Sequence, residues 1–251
     1  MELTYGNQTI DLFGKEHFPD GPPEKVVVSL SGGCDSSSLT YLIGTNFPNI
    51  DMYPFHTKDE DCPIDTERAI EVHQWLQNKF PKLHDLKVYT VSTSDPVWQA
   101  KAKEAMASPK GSLIVNGKKV SMWGTLNGCS KALQNRDKRS KMSLQYDAPV
   151  VMAMTSNPPV DVQKERGFYE VAERKRDPGE SKLKIMDTID KGGLTYQPFL
   201  RSDKKFVAGV FKEHNLMDSL YTLTKSCAWS QTLETCGKCF WCNEKEWAFE
   251  D

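Results

Sequence analysis

A glycine-rich segment near the start of the sequence contains residue types that could bind phosphate. It reads Ser31-Gly32-Gly33-Cys34-Asp35-Ser36 and lies between two apolar runs, residues 25–30 and 39–43. This order predicts a buried strand, a tight loop and a helix. Glycines at such a junction bring backbone N–H groups close to an anion at the positive end of the helix. The spacing is neither that of a Walker A loop nor that of G-x-G-x-x-G.

The same segment also has a purely structural interpretation. It would then be a glycine-rich turn before an ordinary helix, with Asp35 and Ser36 capping the first turn. At Cys34 a packing thiol is favoured over a nucleophile. Because strand, loop and helix all fit, the phosphate-binding interpretation is favoured.

Four of the seven cysteines are clustered near the C-terminus. They follow the spacing Cys-x8-Cys-x2-Cys-x2-Cys and are Cys227, Cys236, Cys239 and Cys242. Four thiolates suit one tetrahedral Zn²⁺, and a closed shell leaves no position for substrate, so we expect a structural ion. An iron–sulfur cluster is the alternative. Cys62 and Cys129 stand alone.

Composition and charge argue against nucleic-acid-binding and membrane-spanning classes of protein. The chain has 251 residues, 38% of them hydrophobic, with 32 basic and 34 acidic side chains. No global basic field results, so we do not expect a nucleic-acid partner. The longest apolar stretch, residues 148–154, is far shorter than the roughly 20 residues of a membrane helix, and no apolar leader follows Met1. Together with the odd cysteine count, this predicts a cytoplasmic protein without a membrane partner.

Two basic stretches, residues 136–141 and 164–176, could clamp phosphates or a nucleic acid. Because both are highly charged and contain or adjoin acidic residues, we interpret them as solvated helix faces.

Strand and helix patterns alternate along the chain, which predicts an α/β fold: a doubly wound, mainly parallel sheet with helices on both faces. Predicted strands cover residues 25–30, 50–56, 86–91 and 148–154. Predicted helices cover 66–80, 95–107, 124–134, about 161–175 and 204–214. His56 is at the carboxyl end of the second strand, where such sheets bind ligands, so it is a candidate for the nucleotide site, with a capping or surface role as the alternative.

The loop matches the motif SGGxDS and thereby resembles the PP-loop ATP pyrophosphatases, whose loop grips the pyrophosphate of ATP while the α-phosphate is attacked. The resemblance implies an adenine nucleotide alpha-hydrolase-like fold and a role for Asp35 in orienting Mg²⁺ or the loop. With His56 added by position, the expected nucleotide-binding set is Ser29, Leu30, Ser31, Gly32, Gly33, Cys34, Asp35, Ser36, Ser37 and His56.

The loop and the cysteine spacing together resemble the 7-cyano-7-deazaguanine synthase family. In that family a similar tail, here Ser226-Cys227 through Cys242 and on to Phe249, binds zinc. Residues 197–204 also resemble a family segment that ends in a lysine before a helix, which makes Lys204 a candidate phosphate contact and, with Asp35, a candidate catalytic residue. The alternative is a solvated lysine at a helix start. The resemblance also implies a homodimer.

The element patterns, the composition and the two motifs divide the chain into three predicted regions. Residues 1–24 are an N-terminal extension with an edge hairpin. Residues 25–200 are the nucleotide-binding α/β domain, with a charged insertion at about 155–198. Residues 201–251 are a helical, cysteine-bearing region that holds a small zinc-bound tail.

Three segments depart from the family pattern. Residues 53–57 replace a Tyr-Gly-Gln signature, residues 123–127 replace a Gly-Arg-Asn, and residues 155–159 lack an acidic, tyrosine-rich substrate loop. The chain is therefore either a divergent member with the same reaction or a relative that activates another carboxylate.

The family chemistry uses ATP, Mg²⁺ and ammonia. A carboxylate, here a small deazapurine, takes AMP from ATP; ammonia then gives the amide, and a second activation dehydrates the amide to a nitrile. Positioning and charge neutralisation would supply most of the catalysis. Two other functions stay open: sulfur insertion through a reactive Cys34 or Cys129, and a non-catalytic nucleotide-sensing module.

Overall fold

The computed structural model describes residues 1–60, 64–107, 112–115, 118–121, 125–166, 182–186, 193–227 and 235–250. Its strands are β1 (Glu2–Tyr5), β2 (Gln8–Asp11), β3 (Lys25–Ser29), β4 (Asp51–Asp59), β5 (Lys87–Val91), β6 (Ser112–Val115), β7 (Lys118–Ser121), β8 (Val150–Val151), β9 (Lys182–Met186) and β10 (Gly193–Gln197).

The helices are α1 (Cys34–Asn46), α2 (Ile64–Lys79), α3 (Pro96–Ala107), α4 (Leu126–Tyr146), α5 (Val160–Glu165), α6 (Lys204–Glu213), α7 (Leu220–Leu223) and α8 (Phe240–Phe249). A 3-10 turn, Pro198–Arg201, joins β10 to α6. Among the described residues, no helix combines the length and the apolar composition that crossing a bilayer requires.

The central sheet has the strand order β5-β4-β3-β8-β10-β9. Its first five strands are parallel, and β9 pairs antiparallel with β10 at the edge. The α/β fold with a mainly parallel sheet is thus confirmed. From β3 the chain adds strands first on one side and then, from β8, on the other, so the switch point lies between β3 and β8. Open α/β sheets bind ligands outside the carboxyl ends of their strands at this point.

Alternate side chains of β3 face opposite sides of the sheet, as the two-residue period of a strand requires. Val26 and Val28 pack in one core with α1, α2 and α6, whereas Val27 packs with Met142 of α4 in a second core. Both faces are therefore covered, which explains the nearly continuous apolar run of this strand.

The N-terminal hairpin β1–β2 braces the start of α6. The side chain of Gln8 donates to Asp203 Oδ1 at 2.7 Å, and its Oε1 accepts from the Asp203 N–H at 2.9 Å. Asp203 in turn caps α6 through the Lys205 N–H at 2.8 Å. The extension thus fixes the helix on which Lys204 is the first residue.

Several elements differ from their predicted bounds. The predicted helix 124–134 continues to Tyr146, because the buried side of α4 is built from polar and small residues that apolar periodicity does not detect. Of the predicted strand 148–154, only Val150–Val151 pairs in the sheet. The span 155–198, predicted as a charged insertion, contains β10, a parallel strand of the central sheet. The predicted helix 161–175 is α5 up to Glu165, and residues 167–175 lie outside the described residues.

Candidate functional site

A cavity of about 360 Å³ opens at the switch point, beyond the carboxyl ends of β3 and β8. Its walls come from the end of β3, the glycine-rich loop, the start of α2, the residues after β8, the start of α6, the residues that lead into the cysteine cluster and the start of α8. The lining residues are Ser29, Ser31, Gly33, Cys34, Asp35, Ser36, Asp65, Met152, Ala153, Met154, Lys204, Lys225, Ser226, Cys227 and Trp241.

The loop is held by its own serines. Ser36 Oγ accepts from the Ser31 N–H at 3.1 Å and lies 3.0 Å from Ser31 Oγ. Ser37 Oγ donates to the Gly33 carbonyl at 2.8 Å. Gly33 precedes α1 and has no side chain to cap it, so the first N–H groups of the helix remain available for an anion.

Gly32 is the one loop position where only glycine fits. Its φ is +77°, and a Cβ there would lie 2.7 Å from the backbone nitrogen of Ala69 on α2. The loop can therefore pack directly on α2, and any side chain would push it away.

Lys204 connects α6 to the loop through a buried ion cluster. Its Nζ lies 2.6 Å from both carboxylate oxygens of Asp35 and 3.7 Å from Glu244 Oε2. Glu244 is 0% exposed and Lys204 only 3%. Burial alone would lower the pKa of the Lys204 ammonium, but Asp35 and Glu244 outweigh burial and raise it. The lysine is thus a permanent cation at the loop.

Lys225 forms part of the opposite wall. Its N–H donates to the Gly32 carbonyl at 3.0 Å, and its Nζ lies 3.8 Å from Asp65 Oδ1. The next residue, Ser226, places its Oγ 3.5 Å from Cys34 Sγ. Sequence analysis missed Lys225 and Asp65; the available signal was that Lys225 lies two residues before Cys227.

The four clustered cysteines do come together. Their sulfur atoms all lie within 4.8 Å of one another, with 3.8 Å between Cys236 and Cys242 and 3.4 Å between Cys239 and Cys242. A tetrahedral Zn²⁺ with Zn–S bonds of about 2.3 Å separates its sulfurs by about 3.8 Å, so the set fits one such ion.

Local backbone and burial act differently on these thiols. The backbone N–H groups of Lys238 and Cys239 lower the pKa of Cys236, whereas burial raises the pKa of Cys242 to about 12. A cation bound by all four sulfurs would therefore displace protons.

The structure places four of the expected nucleotide-binding residues away from the cavity wall. Leu30 precedes the loop and Ser37 follows it, and both are buried, whereas Gly32 lies within the loop and packs against α2. His56 is also buried: its Nδ1 lies 3.0 Å from the Leu30 carbonyl, and its Nε2 lies 3.2 Å from Thr66 Oγ1. Burial lowers the pKa of His56. It supports the backbone that leads into the loop instead of facing a ligand there.

The remaining candidate cysteines occupy different settings. Cys34 is 0% exposed by side chain, although it contributes to the cavity wall. Cys129 is buried on α4, its thiol 3.7 Å from the Ala102 carbonyl, and burial raises its pKa. Cys62 lies outside the described residues, as do residues 123 and 124 of the segment that departs from the family pattern. Thr125 of that segment caps α4 by accepting from the Gly128 N–H at 3.1 Å.

No family model matches the sequence, and no curated protein matches it. Among solved structures, the chain is similar to an NMN synthetase from Francisella tularensis, with a TM-score of 0.48 and 14% identity over 92% of this chain and 79% of the other. It is similar to a U34-tRNA thiolase from Methanococcus maripaludis that carries a 4Fe-4S cluster, with a TM-score of 0.44 and 12% identity over 88% and 64%.

A third similar structure is an NH3-dependent NAD synthetase from Campylobacter jejuni, with a TM-score of 0.38 and 16% identity over 82% of this chain and 70% of that one. Because all three TM-scores are below 0.5, the function of the chain is inferred from its own residues.

Proposed function

We propose that the chain is a PP-loop ATP pyrophosphatase that adenylylates a carboxylate and converts it with ammonia. The favoured substrate is 7-carboxy-7-deazaguanine and the product its nitrile, as the family resemblance implies. The observation that carries the proposal is the cavity at the switch point, where the SGGxDS loop, Lys204 and the cysteine tail meet. The loop and the first cysteine of the cluster, Cys227, both line this cavity.

The reaction balances in three steps. The substrate carboxylate attacks the α-phosphorus of ATP, pyrophosphate leaves, and an acyl adenylate forms. Ammonia attacks the acyl carbon, AMP leaves with its oxygen, and the amide forms with loss of a proton. A second ATP adenylylates the amide oxygen; loss of AMP and of the remaining nitrogen protons leaves the C≡N bond.

The chain contributes electrostatic positioning. The N–H groups at the start of α1 and the cations of Lys204 and Lys225 face the region where a triphosphate would lie. Asp35 holds Lys204, and Asp65 lies beside Lys225. Since both carboxylates already have lysine partners, Mg²⁺ would enter on the phosphate oxygens, with Asp35 or Asp65 as a supplementary ligand.

Zn²⁺ is the ion proposed for Cys227, Cys236, Cys239 and Cys242. The sulfur separations fit a single-ion shell, and a cluster of several irons would hold its thiolates farther apart. The ion would supply folding energy and no chemistry. Its ligand Cys227 lies two residues after Lys225, so the bound tail would keep this lysine against the loop.

Sulfur insertion is disfavoured as a second function. Its reactive thiolate would have to be Cys34 or Cys129, and both are 0% exposed. Burial also raises the pKa of Cys129, which disfavours the thiolate form that sulfur insertion needs. Activation of a different carboxylate stays the main alternative, because the departures from the family pattern fall in the substrate segments. The homodimer and the cytoplasmic location remain predictions from sequence.

The deciding experiment is mass spectrometry of a reaction that contains the zinc-loaded protein, Mg-ATP, ammonium and 7-carboxy-7-deazaguanine. We expect AMP, pyrophosphate and the nitrile. Lys225→Met should lower nucleotide affinity by about 10- to 100-fold, since a charged hydrogen bond contributes roughly 1.5–3 kcal/mol. Lys205→Met, an exposed neighbour of Lys204, is the matched control and should react normally.

Two other outcomes are informative. AMP and pyrophosphate without any change in the deazaguanine would keep the adenylylation chemistry and exclude this substrate. Absence of both nucleotide binding and turnover in the zinc-loaded protein would overturn the proposal.

A further inference from the structure

Helix α4 has an unusually polar interface with the sheet. It contacts β3, β5, β8 and β10, yet its buried residues are mainly polar: Cys129, Ser130, Gln134, Ser140, Met142 and Ser143. A helix that covers a sheet face normally buries an apolar stripe. Most of these polar groups are hydrogen-bonded within the chain, as Gln134 is to Ser92 and Ser143 is to Ala148 and Leu194. A charged or polar group at this interface that lacks such a partner is therefore the feature that needs an explanation.

Arg139 is the charged residue at this interface. Its Nη1 lies 3.5 Å from the sulfur of Met152, and its Nε is buried without a hydrogen-bond partner among the described residues. No carboxylate in the described part of the chain pairs with it in a salt bridge. Burial and the neighbouring Arg136 lower the pKa of the guanidinium, which nevertheless stays charged at neutral pH.

Two further buried atoms lack partners on the same interface. Asn135 lies one turn before Arg139 on α4, and its Oδ1 is unpaired within the described residues. Thr195 of β10 has an unpaired Oγ1 there as well. Thr195 lies two residues after Gly193 and therefore points to the same face of β10. A side chain at Gly193 would touch Ser140, so this face is the one that packs against α4. Unpaired polar atoms of α4 and β10 therefore occur on the same interface as the guanidinium.

This group lies next to the nucleotide cavity. Met152, which contacts Arg139, follows β8 at the switch point and lines that cavity. Its unbranched thioether can adopt other conformations at little cost, so a ligand could reach both the loop and Arg139.

We propose that Arg139 binds the carboxylate of the molecule that is activated at the phosphate loop, so that the substrate is an anion held between α4 and the end of β8. The inference rests on the proposed function in taking the reacting group to be a carboxylate. A guanidinium matches a carboxylate through two parallel N–H···O bonds and fixes its orientation for attack on the nucleotide. Water could satisfy Asn135 and Thr195, whereas an anion would compensate the charge of the partly exposed Arg139.

The test compares Arg139→Met, Arg139→Lys and the exposed control Lys141→Met. Binding of 7-carboxy-7-deazaguanine and of its uncharged carboxamide is measured by calorimetry, and thermal unfolding is followed in acetate and in chloride at equal ionic strength. Binding of a nonhydrolysable ATP analogue is measured separately, so that failure of the nucleotide site is distinguishable from failure of this inference.

We expect Arg139→Met to keep the nucleotide affinity and to lose carboxylate affinity by about 10- to 100-fold, the range of a charged hydrogen-bonded pair. The carboxylate affinity of Arg139→Lys should lie between those of the wild type and Arg139→Met, because lysine keeps the charge but lacks the two parallel N–H donors of the guanidinium. Acetate should stabilise the wild type and Lys141→Met more than chloride does, and this difference should vanish in Arg139→Met.

Two results would overturn the inference. One is an acetate effect and a carboxylate preference that are the same in Arg139→Met as in the wild type. The other is a large fall in the thermal midpoint of ligand-free Arg139→Met, because this would mean that the arginine already has a carboxylate partner within the chain.

Discussion

The loop wall of the cavity, here the loop side, and the neighbouring α4 interface, here the α4 side, differ in how their charged side chains are compensated. On the phosphate-loop side, Lys204 faces Asp35 and Glu244, and Lys225 lies beside Asp65. On the α4 side, Arg139 faces no carboxylate among the described residues. The two lysines of the loop side therefore have acidic partners before a ligand arrives, whereas the charge of Arg139 would be compensated by a ligand. A site whose charges are already paired suits a cofactor that many reactions share. The interface that contains Arg139 is where one substrate would be distinguished from another.

Replacement of Lys204 and of Arg139, each in a separate variant, tests this difference most directly. We expect Lys204→Met to lower the free energy of unfolding by about 3–5 kcal/mol, because it leaves buried carboxylates without their cation. Arg139→Met should leave stability unchanged or raise it, since it removes a buried charge that has no partner in the described chain. Urea unfolding of both variants measures the difference.

A double variant is the control for this interpretation. Lys204→Met combined with Glu244→Gln should recover part of the lost stability, because the fully buried carboxylate is then neutral. If Lys204→Met costs less than Arg139→Met, the contrast between the two sides is wrong.

Metal removal should act on the loop side alone. The cysteine tail carries Lys225, whose backbone N–H donates to the Gly32 carbonyl and which lines the cavity, so the bound tail would position the Lys225 side-chain charge for a nucleotide. We expect chelation of the ion to weaken binding of an ATP analogue by up to about 100-fold, within the range of coupling between linked sites. By reciprocity, the analogue should slow loss of zinc to a chelator.

Lys225→Met separates this coupling from simple unfolding of the tail. The variant should bind zinc normally but show a much smaller difference in nucleotide affinity between its metal-loaded and metal-free forms. An equal effect of the metal in both proteins would mean that the coupling does not pass through the Lys225 side chain.

Whether a feature could be predicted from the sequence depends on how far apart in the chain its residues lie. The strand–loop–helix around Gly32 and the cysteine spacing are local patterns, so the sequence sufficed to place them. The pairing of Lys204 with Glu244, and of Lys225 with Asp65, joins residues far apart in the chain, and no local pattern encodes it. Arg139 was interpreted as part of a solvated helix face because its neighbours are charged, whereas the fold turns it towards the sheet.

The smallest expected effect concerns His56 on the loop side, a neutral side chain whose two ring nitrogens already have hydrogen-bond partners. The Leu30 carbonyl can only accept, so Nδ1 carries the proton and Nε2 accepts from the Thr66 hydroxyl. Since burial lowers the pKa of His56, the unfolded chain binds more protons than the native chain below about pH 6.5, the ordinary histidine value, and stability falls there.

We therefore expect the stability advantage of the wild type over His56→Gln to shrink as the pH is lowered from 7 to 5, by at most about 1.4 kcal/mol per pH unit. Urea unfolding at a series of pH values measures it. His214, whose pKa burial also lowers, is present in both proteins, so its contribution cancels. A constant difference between the two proteins across this range would mean that His56 titrates in the native chain as it does in the unfolded chain, so that it is protonated in the native state at pH 5. The loop side would then carry an uncompensated charge as the α4 side does, and the contrast between the two sides would no longer hold.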